Sequence, residues 1–302
     1  MSPSLVVLIC RYEFYVITMQ VSSVDNEKII SNLATVEGMR IVSLVPSLTL
    51  TLFDLGLTSN EIVGRTPWCI HPAEKVSEVM VVGGTKTPNL NKIRNLKPDL
   101  IVMDKDENPL KVYEQLLSEG FKIFVSEVEH PNDVPHMLKE LGEACGKAKQ
   151  GEIMAQNCTM ALMNCSNEQR KFTTIPLIWY QPIMAVSPRK YPGAILTHVG
   201  FDVIDTHPTS NGYPELSMGD FVEHQPMLIL LTSEPHEFTK QEGEEISKRI
   251  ISAGGARPMV KLIDGEDLTW FGSKTEKAVQ NLSNLYKLCL LYTSDAADEP
   301  SS

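Results

Sequence analysis

Trp68, Trp179 and Trp270 are the only tryptophans in this 302-residue chain, and each follows a short apolar run, where a loop would carry it. Tryptophan faces offer large, rigid contact area, so three of them in loops suit binding of a broad apolar molecule; any one alone serves equally well as core packing. The residues that could support other chemistry are poorly arranged for it. Ser47 and Ser233 lack the G-x-S-x-G setting of a nucleophile elbow. Gly83-Gly84-Thr85 matches neither GxxxxGK[ST] nor GxGxxG and reads as a turn. Asp104–Asn108, DKDEN, has a calcium-like composition without the turn glycine or the closing glutamate, and reads as a solvated rim. The seven histidines show no HxH or HxxxH spacing, and the six cysteines form no CxxC pair. No metal centre is expected, with His71, close to Trp68, as the weak candidate. The thiols read as unpaired, in keeping with a reducing compartment.

Those residues must be positioned by regular elements. Arg40–Gly56, RIVSLVPSLTLTLFDLG, is an apolar run broken at Pro46-Ser47 and resumed in a helical pattern, that is, strand, tight loop, helix. The unit then recurs. Short β-branched or apolar runs at 61–66, 79–82, 99–103 and 122–125 alternate with helical stretches at 90–96 and 109–119. DLIVM at 99–103 is apolar throughout, as a strand covered on both faces must be. From Asp133 to about Glu168 no strand pattern occurs, and the spacing of Val134, Met137, Leu138, Leu141, Ala144 and Cys145 predicts one long helix of roughly 50 Å. Gly142, Gly146 and Gly151 weaken it, and two helices breaking near Gly151 are the other reading. Alternation then resumes, with strands at 174–179, 202–204, 227–231 and 259–263 and a last helix at 274–288. The expected fold is α/β: two Rossmann-like lobes, 39–131 and 171–288, joined by a single long interdomain helix within 132–170.

RIVSLVPSLTLTLFDLG, VVGGTKTPNLNKIRNLKPDLIV, IWYQPIMAV and DGEDLTWFGS, in this order and spacing, resemble the substrate-binding proteins for cobalamin and ferric siderophores that serve ABC importers. The resemblance covers about residues 39–288 and is closest to the cobalamin-type branch, the helical-backbone metal receptors with an Fe/B12 periplasmic-binding domain. It implies a class III periplasmic-binding-protein-like architecture, no catalysis and no cofactor. It also implies a monomer holding cobalamin, a related corrinoid or a siderophore in the cleft between lobes, for delivery to an ABC-transporter permease dimer. Ligand contacts in that family come from loops at the carboxyl ends of strands, where open α/β sheets place their ligands. Carried over by position, these are Pro46, Ser47, Trp68, Thr85 and Asp104–Asn108 in the first lobe. In the second they are Trp179, Tyr180, Gln181, Tyr213, Ser233, Glu234, Trp270 and Phe271. Glu215 matches the transporter-docking acid of the second lobe. The first-lobe counterpart falls on Asn91 and Lys92, and Leu50 stands where an acid is usual.

Composition bounds the rest. A net charge of -11 argues against nucleic acid, which wants a basic face. Residues 1–38 read as an extension outside the fold. The apolar run Leu5–Cys10 has no basic stretch before it and is interrupted at Arg11 and Glu13, a poor signal peptide, and a start at Met19 is equally plausible. The resemblance implies a periplasmic or cell-envelope location, while the N-terminal pattern leaves a cytoplasmic one open. Cys289–Glu299, CLLYTSDAADE, reads as translated sequencing-adaptor DNA, and 289–302 is set aside. Two readings compete with import: a corrinoid or siderophore binder inside the cell, not coupled to a transporter, and a metallocluster-associated enzyme of similar plan. The latter would need the paired cysteines or clustered histidines the sequence lacks.

Overall fold

The computed structural model describes residues 38–167, 169 and 172–295. The expectations for the N-terminal extension and for the last seven residues fall outside them.

The first lobe is a five-stranded parallel sheet in the order β3-β2-β1-β4-β5. Its strands are β1 (Ile41–Ser43), β2 (Ile62–Arg65), β3 (Met80–Val81), β4 (Leu100–Asp104) and β5 (Ile123–Ser126). Helices α1 (Pro46–Asp54), α2 (Ala73–Val76), α3 (Leu90–Leu96) and α4 (Leu110–Ser118) connect them. Every residue of β1 and β4 is buried, which is why both read as unbroken apolar runs. Helix α1 starts where Pro46, with no N–H to satisfy, occupies its first position. Asn89 caps α3 by accepting from the Lys92 N–H at 3.1 Å.

The second lobe has β6 (Phe172–Trp179), β7 (Met184–Ala185), β8 (Phe201–Val203), β9 (Leu228–Thr232) and β10 (Met259–Ile263). Strands β10, β9, β6 and β8 run parallel, and β7 lies antiparallel on the carboxyl half of β6. Its helices are α7 (Tyr191–His198), α8 (Met218–His224), α9 (Lys240–Ser252), α10 (Gly265–Thr269) and α11 (Thr275–Asp295). Helix α11 does not stop at Leu288: Cys289 is buried in the core and Leu290 packs against it.

Between the lobes the expected 50 Å helix divides. A 3₁₀ turn (Pro131–Asp133) leads into α5 (Val134–Ala144), the chain reverses at Cys145–Lys147, and α6 (Ala148–Cys165) carries it to the second lobe. The break comes at Gly146, whose φ of +73° only glycine adopts at little cost, and not at Gly151. Helix α6 is therefore the single interdomain helix, roughly 27 Å long. Gly142 and Gly151 are the contact of the hairpin: a Cβ on Gly151 would lie 2.7 Å from the Leu138 carbonyl oxygen and 3.0 Å from Gly142 Cα. One apolar cluster runs through both lobes and this hairpin, from Ile41 and Leu48 through Ala155 and Cys158 to Phe201 and Tyr286. Each sheet has its own cluster on the other face. A core shared between lobes opposes their independent movement.

Candidate ligand-binding cleft

The carboxyl ends of the two parallel sheets face each other, because the loops that follow them are joined. Lys190, ahead of α7, reaches Asp106 at 2.7 Å and Glu129 at 3.0 Å, with its side chain only 15% exposed. Burial alone would lower its pKa, yet the two carboxylates hold the ammonium above its ordinary value. His71 Nε2 meets Glu266 Oε1 at 2.9 Å, and Lys274 binds the other oxygen of that carboxyl. Burial alone would raise Glu266, but the hydrogen bonds from Lys274 and His71 hold it below the ordinary carboxylate range. The Ser273 N–H donates to Thr51 Oγ1 at 3.0 Å. Three links from separate loops thus fix the lobes across their interface.

In the first lobe, Trp68 stands 65% exposed after β2. Pro46 and Ser47 form the first turn of α1, where Ser47 is 4% exposed and its hydroxyl has no hydrogen-bond partner. Thr85 is half-buried, and its carbonyl accepts from Asn108 Nδ2 at 3.0 Å. The Asp104–Asn108 loop is not the solvated rim that its composition suggests. Asp104 and Asn108 are buried and act as a clamp. Asp104 Oδ1 accepts from the N–H groups of Asp106 and Glu107 at 2.9 and 3.0 Å, Oδ2 accepts from Ser126 at 2.7 Å, and Asn108 Oδ1 accepts from the Asp104 N–H at 2.8 Å. The residue held out by this clamp is Glu107. Burial, then the neighbouring Asp104 carboxylate, pushes its carboxyl up to about 8.

In the second lobe, Trp179 is 40% exposed at the end of β6, its Nε1–H donating to the Gln181 carbonyl at 3.0 Å. Gln181 itself is exposed. Tyr213 is half-buried, and burial followed by the Asp106 charge pushes its phenol up to about 12. Ser233 Oγ accepts from the Gly265 N–H at 2.9 Å, and Glu234 Oε1 accepts from Thr269 Oγ1 at 2.7 Å. Burial raises the Glu234 carboxyl above its ordinary value. Other carried-over positions are used differently. Tyr180 stacks on His236 with ring centroids 5.9 Å apart and packs on Phe238 within the second lobe. Trp270 and Phe271 are buried: Trp270 lies edge-on to His71 at 5.5 Å with Lys274 over its face, and Phe271 packs on Tyr191. Neither presents an open wall. Glu215 is exposed, next to Met184 of β7. His71 is engaged by Glu266, and among the described residues no three His, Cys, Asp or Glu side chains are grouped to hold a metal ion. Lys190 was not legible as a cleft residue, since its partners lie 84 and 61 residues away and no local motif marks it.

The model of the periplasmic binding protein family matches residues 41–252. The chain belongs to the periplasmic binding protein family. The vitamin B12-binding protein of Vibrio vulnificus (strain CMCP6) is 26% identical over 204 residues, which cover 65% of this chain and 71% of that one. That of Pectobacterium atrosepticum is 24% identical over 200 residues, covering 64% and 71%. Among solved structures, the periplasmic vitamin B12-binding protein BtuF of Vibrio cholerae superposes with a TM-score of 0.68 at 19% identity, covering 83% of this chain and 98% of BtuF. The periplasmic haem-binding protein HutB of the same organism gives 0.67 at 18% identity, covering 82% and 98%. At these identities the superpositions speak to fold, two parallel-sheet lobes and a connecting helix. Members of this binding-protein family hold substrates rather than transform them, and no catalytic constellation is needed to explain the residues of this periplasmic binding protein.

Glu107 gives a pH dependence with a definite sign. Its proton is held more tightly in the folded state than in the unfolded chain, so its contribution to stability is complete below about pH 4.5 and is lost as pH rises through about 8. Wild type should therefore lose stability relative to Glu107→Gln between those values, and thermal melts of the two across that window read the difference. A constant difference in melting temperature would mean that Glu107 titrates normally.

Proposed function

We propose that the cleft holds cobalamin or a related corrinoid and that the protein serves ABC-type import. The observation that carries this reading is the placement of Trp68 and Trp179. They are large aromatic side chains left exposed on opposite lobes, each at or just beyond the carboxyl end of a strand. A corrin is a broad, mostly apolar macrocycle edged with amides. Aromatic faces cover such a ring, and carboxylates and hydroxyls meet amide N–H groups at its edge. The relatives named as vitamin B12-binding proteins support the same ligand class. Ser47, Thr85, Gln181, Tyr213 and Ser233 are the hydrogen-bonding contacts of this proposal, and Glu215 is its docking residue for a permease. Asn91 and Lys92, exposed where a first-lobe docking acid would stand, favour a second reading, a corrinoid or siderophore binder not coupled to a transporter.

Calorimetric titration with cobalamin tests the ligand. The wild type should release or absorb heat and show tryptophan quenching, and Trp68→Ala and Trp179→Ala should each weaken binding about tenfold or more, as loss of an aromatic anchor does. Absence of heat and of quenching with wild type would sink the reading. Co-purification with a permease dimer, abolished by Glu215→Ala, separates import from carriage without a transporter.

A further inference from the structure

Trp179 is 40% exposed, yet two separate loops hold its indole. Its own loop supplies one contact, the bond from Nε1–H to the Gln181 carbonyl at 3.0 Å. The loop after β9 supplies the other: the His236 ring meets the Trp179 ring edge-on, with centroids 5.9 Å apart and planes at 62°. Three further contacts fix the imidazole. It stacks on Tyr180 at 5.9 Å, stands edge-on to the buried Phe238 at 4.7 Å, and bonds Glu242 Oε1 through Nε2 at 3.0 Å. An ionised carboxyl only accepts, so Nε2 carries the proton. Glu242 is tied down in turn. Its other oxygen accepts from the Thr239 N–H at 2.7 Å and from the Thr239 hydroxyl at 2.9 Å, in the capping box that opens α9. The Thr239 N–H, more than any other group, holds this carboxyl below its ordinary range. A continuous chain of contacts thus runs from the first turn of α9, through His236, to the exposed tryptophan of the second lobe. A side chain already held in one orientation loses less freedom when a ligand arrives than one that turns freely. Rings in edge contact shift an equilibrium constant by about two- to tenfold.

We infer that His236, anchored by Glu242, is a positioning residue for ligand binding: it holds Trp179 in the orientation that receives a broad apolar ring, and acts through that tryptophan rather than on the ligand. This rests on the cleft reading above and deepens it, by assigning the residue that pre-organises one of its two aromatic walls.

A double-mutant cycle with cobalamin, read by calorimetry, tests this. Dissociation constants are measured for wild type, His236→Ala, Trp179→Ala and the double variant, and thermal melts check that each folds. His236→Ala should weaken binding about fivefold when Trp179 is present and less than about twofold once Trp179 is alanine. His236→Gln keeps an N–H for Glu242 but has no ring, so it should weaken binding as the alanine does. It takes the place of the alanine in the cycle if that variant does not fold. A loss of similar size in both backgrounds would mean that His236 acts independently of Trp179, and overturns the inference while leaving the cleft reading intact. Unchanged affinity in His236→Ala, or full affinity in His236→Gln, overturns it as well. Absence of heat with wild type sinks the cleft reading itself, and unchanged affinity in Trp179→Ala takes Trp179 out of it; the inference falls in either case.

Discussion

Replacing Gly151 by alanine should destabilise the protein by about 3 kcal/mol, although helix propensity alone predicts a gain of up to about 1 kcal/mol. The two effects oppose each other in sign, which makes the experiment decisive. Gly151 lies on α6 facing α5, and the added Cβ would sit 2.7 Å from the Leu138 carbonyl oxygen and 3.0 Å from Gly142 Cα. Both are backbone atoms, so no rotamer change relieves the overlap and the helices must part. Parting them loosens Leu138, Leu141, Ala155 and Cys158, which belong to the cluster common to both lobes. For a chain of this size the melting temperature should fall by roughly 5–10 °C. Lys149→Ala, on the exposed side of the same helix, should shift stability by no more than about 0.5 kcal/mol. A Gly151→Ala protein as stable as wild type would mean that the hairpin is not packed as described.

Gly265→Ala should cost about 2–3 kcal/mol and also damage the cleft. Gly265 opens α10 directly beneath the loop that carries Glu234. A Cβ there would lie 2.4 Å from Glu234 Cγ and 2.7 Å from the Glu234 backbone nitrogen. The side-chain atom could swing away, but the backbone nitrogen could not, so α10 must shift. With it go the Thr269 hydroxyl that holds Glu234 and the Ser233–Gly265 hydrogen bond. Urea denaturation measures the first effect, and ligand titration should show at least a tenfold weaker complex. Lost stability with unchanged ligand affinity would separate Glu234 from the binding site.

Much of this fold is legible in sequence because strands buried on both faces leave a signal that nothing else produces. DLIVM and MLILL stand out as β4 and β9, and α3 is bounded by its cap and by Lys97-Pro98 at the residues expected. The hairpin was harder to read. The apolar spacing of α5 and α6 continues through the reversal, and three glycines look like defects of one helix until their partners are known. Gly146 permits the turn, while Gly142 and Gly151 permit the contact. The short β7 and α10 leave no signal in the sequence, since two antiparallel residues and a five-residue helix generate no period.

The cleft divides along the same line. That Trp68, Trp179 and Glu234 follow strands can be read locally. That Trp270 is consumed by packing on His71 of the other lobe and Phe271 by packing on Tyr191, and that Tyr180 turns to His236 and Phe238, depends on partners distant in sequence. The DKDEN loop misleads for a different reason. Composition cannot separate a solvated acidic loop from one whose first and last members, Asp104 and Asn108, are buried as a clamp.

A crystal structure of the protein grown with cobalamin tests the central claim most directly. The corrin ring should lie between the lobes, with Trp68 and Trp179 against it, Pro46-Ser47 at its edge, and Glu107 and Glu234 within hydrogen-bond distance of its amides. The contrary result would place the ring elsewhere. One such place is the groove of about 540 Å³ between α5, α6 and the end of α7, bordered by Asn132, His136, Met163 and His198. Density there, with the interlobe cleft holding only solvent, would contradict the assignment of these strand-end loops to ligand binding.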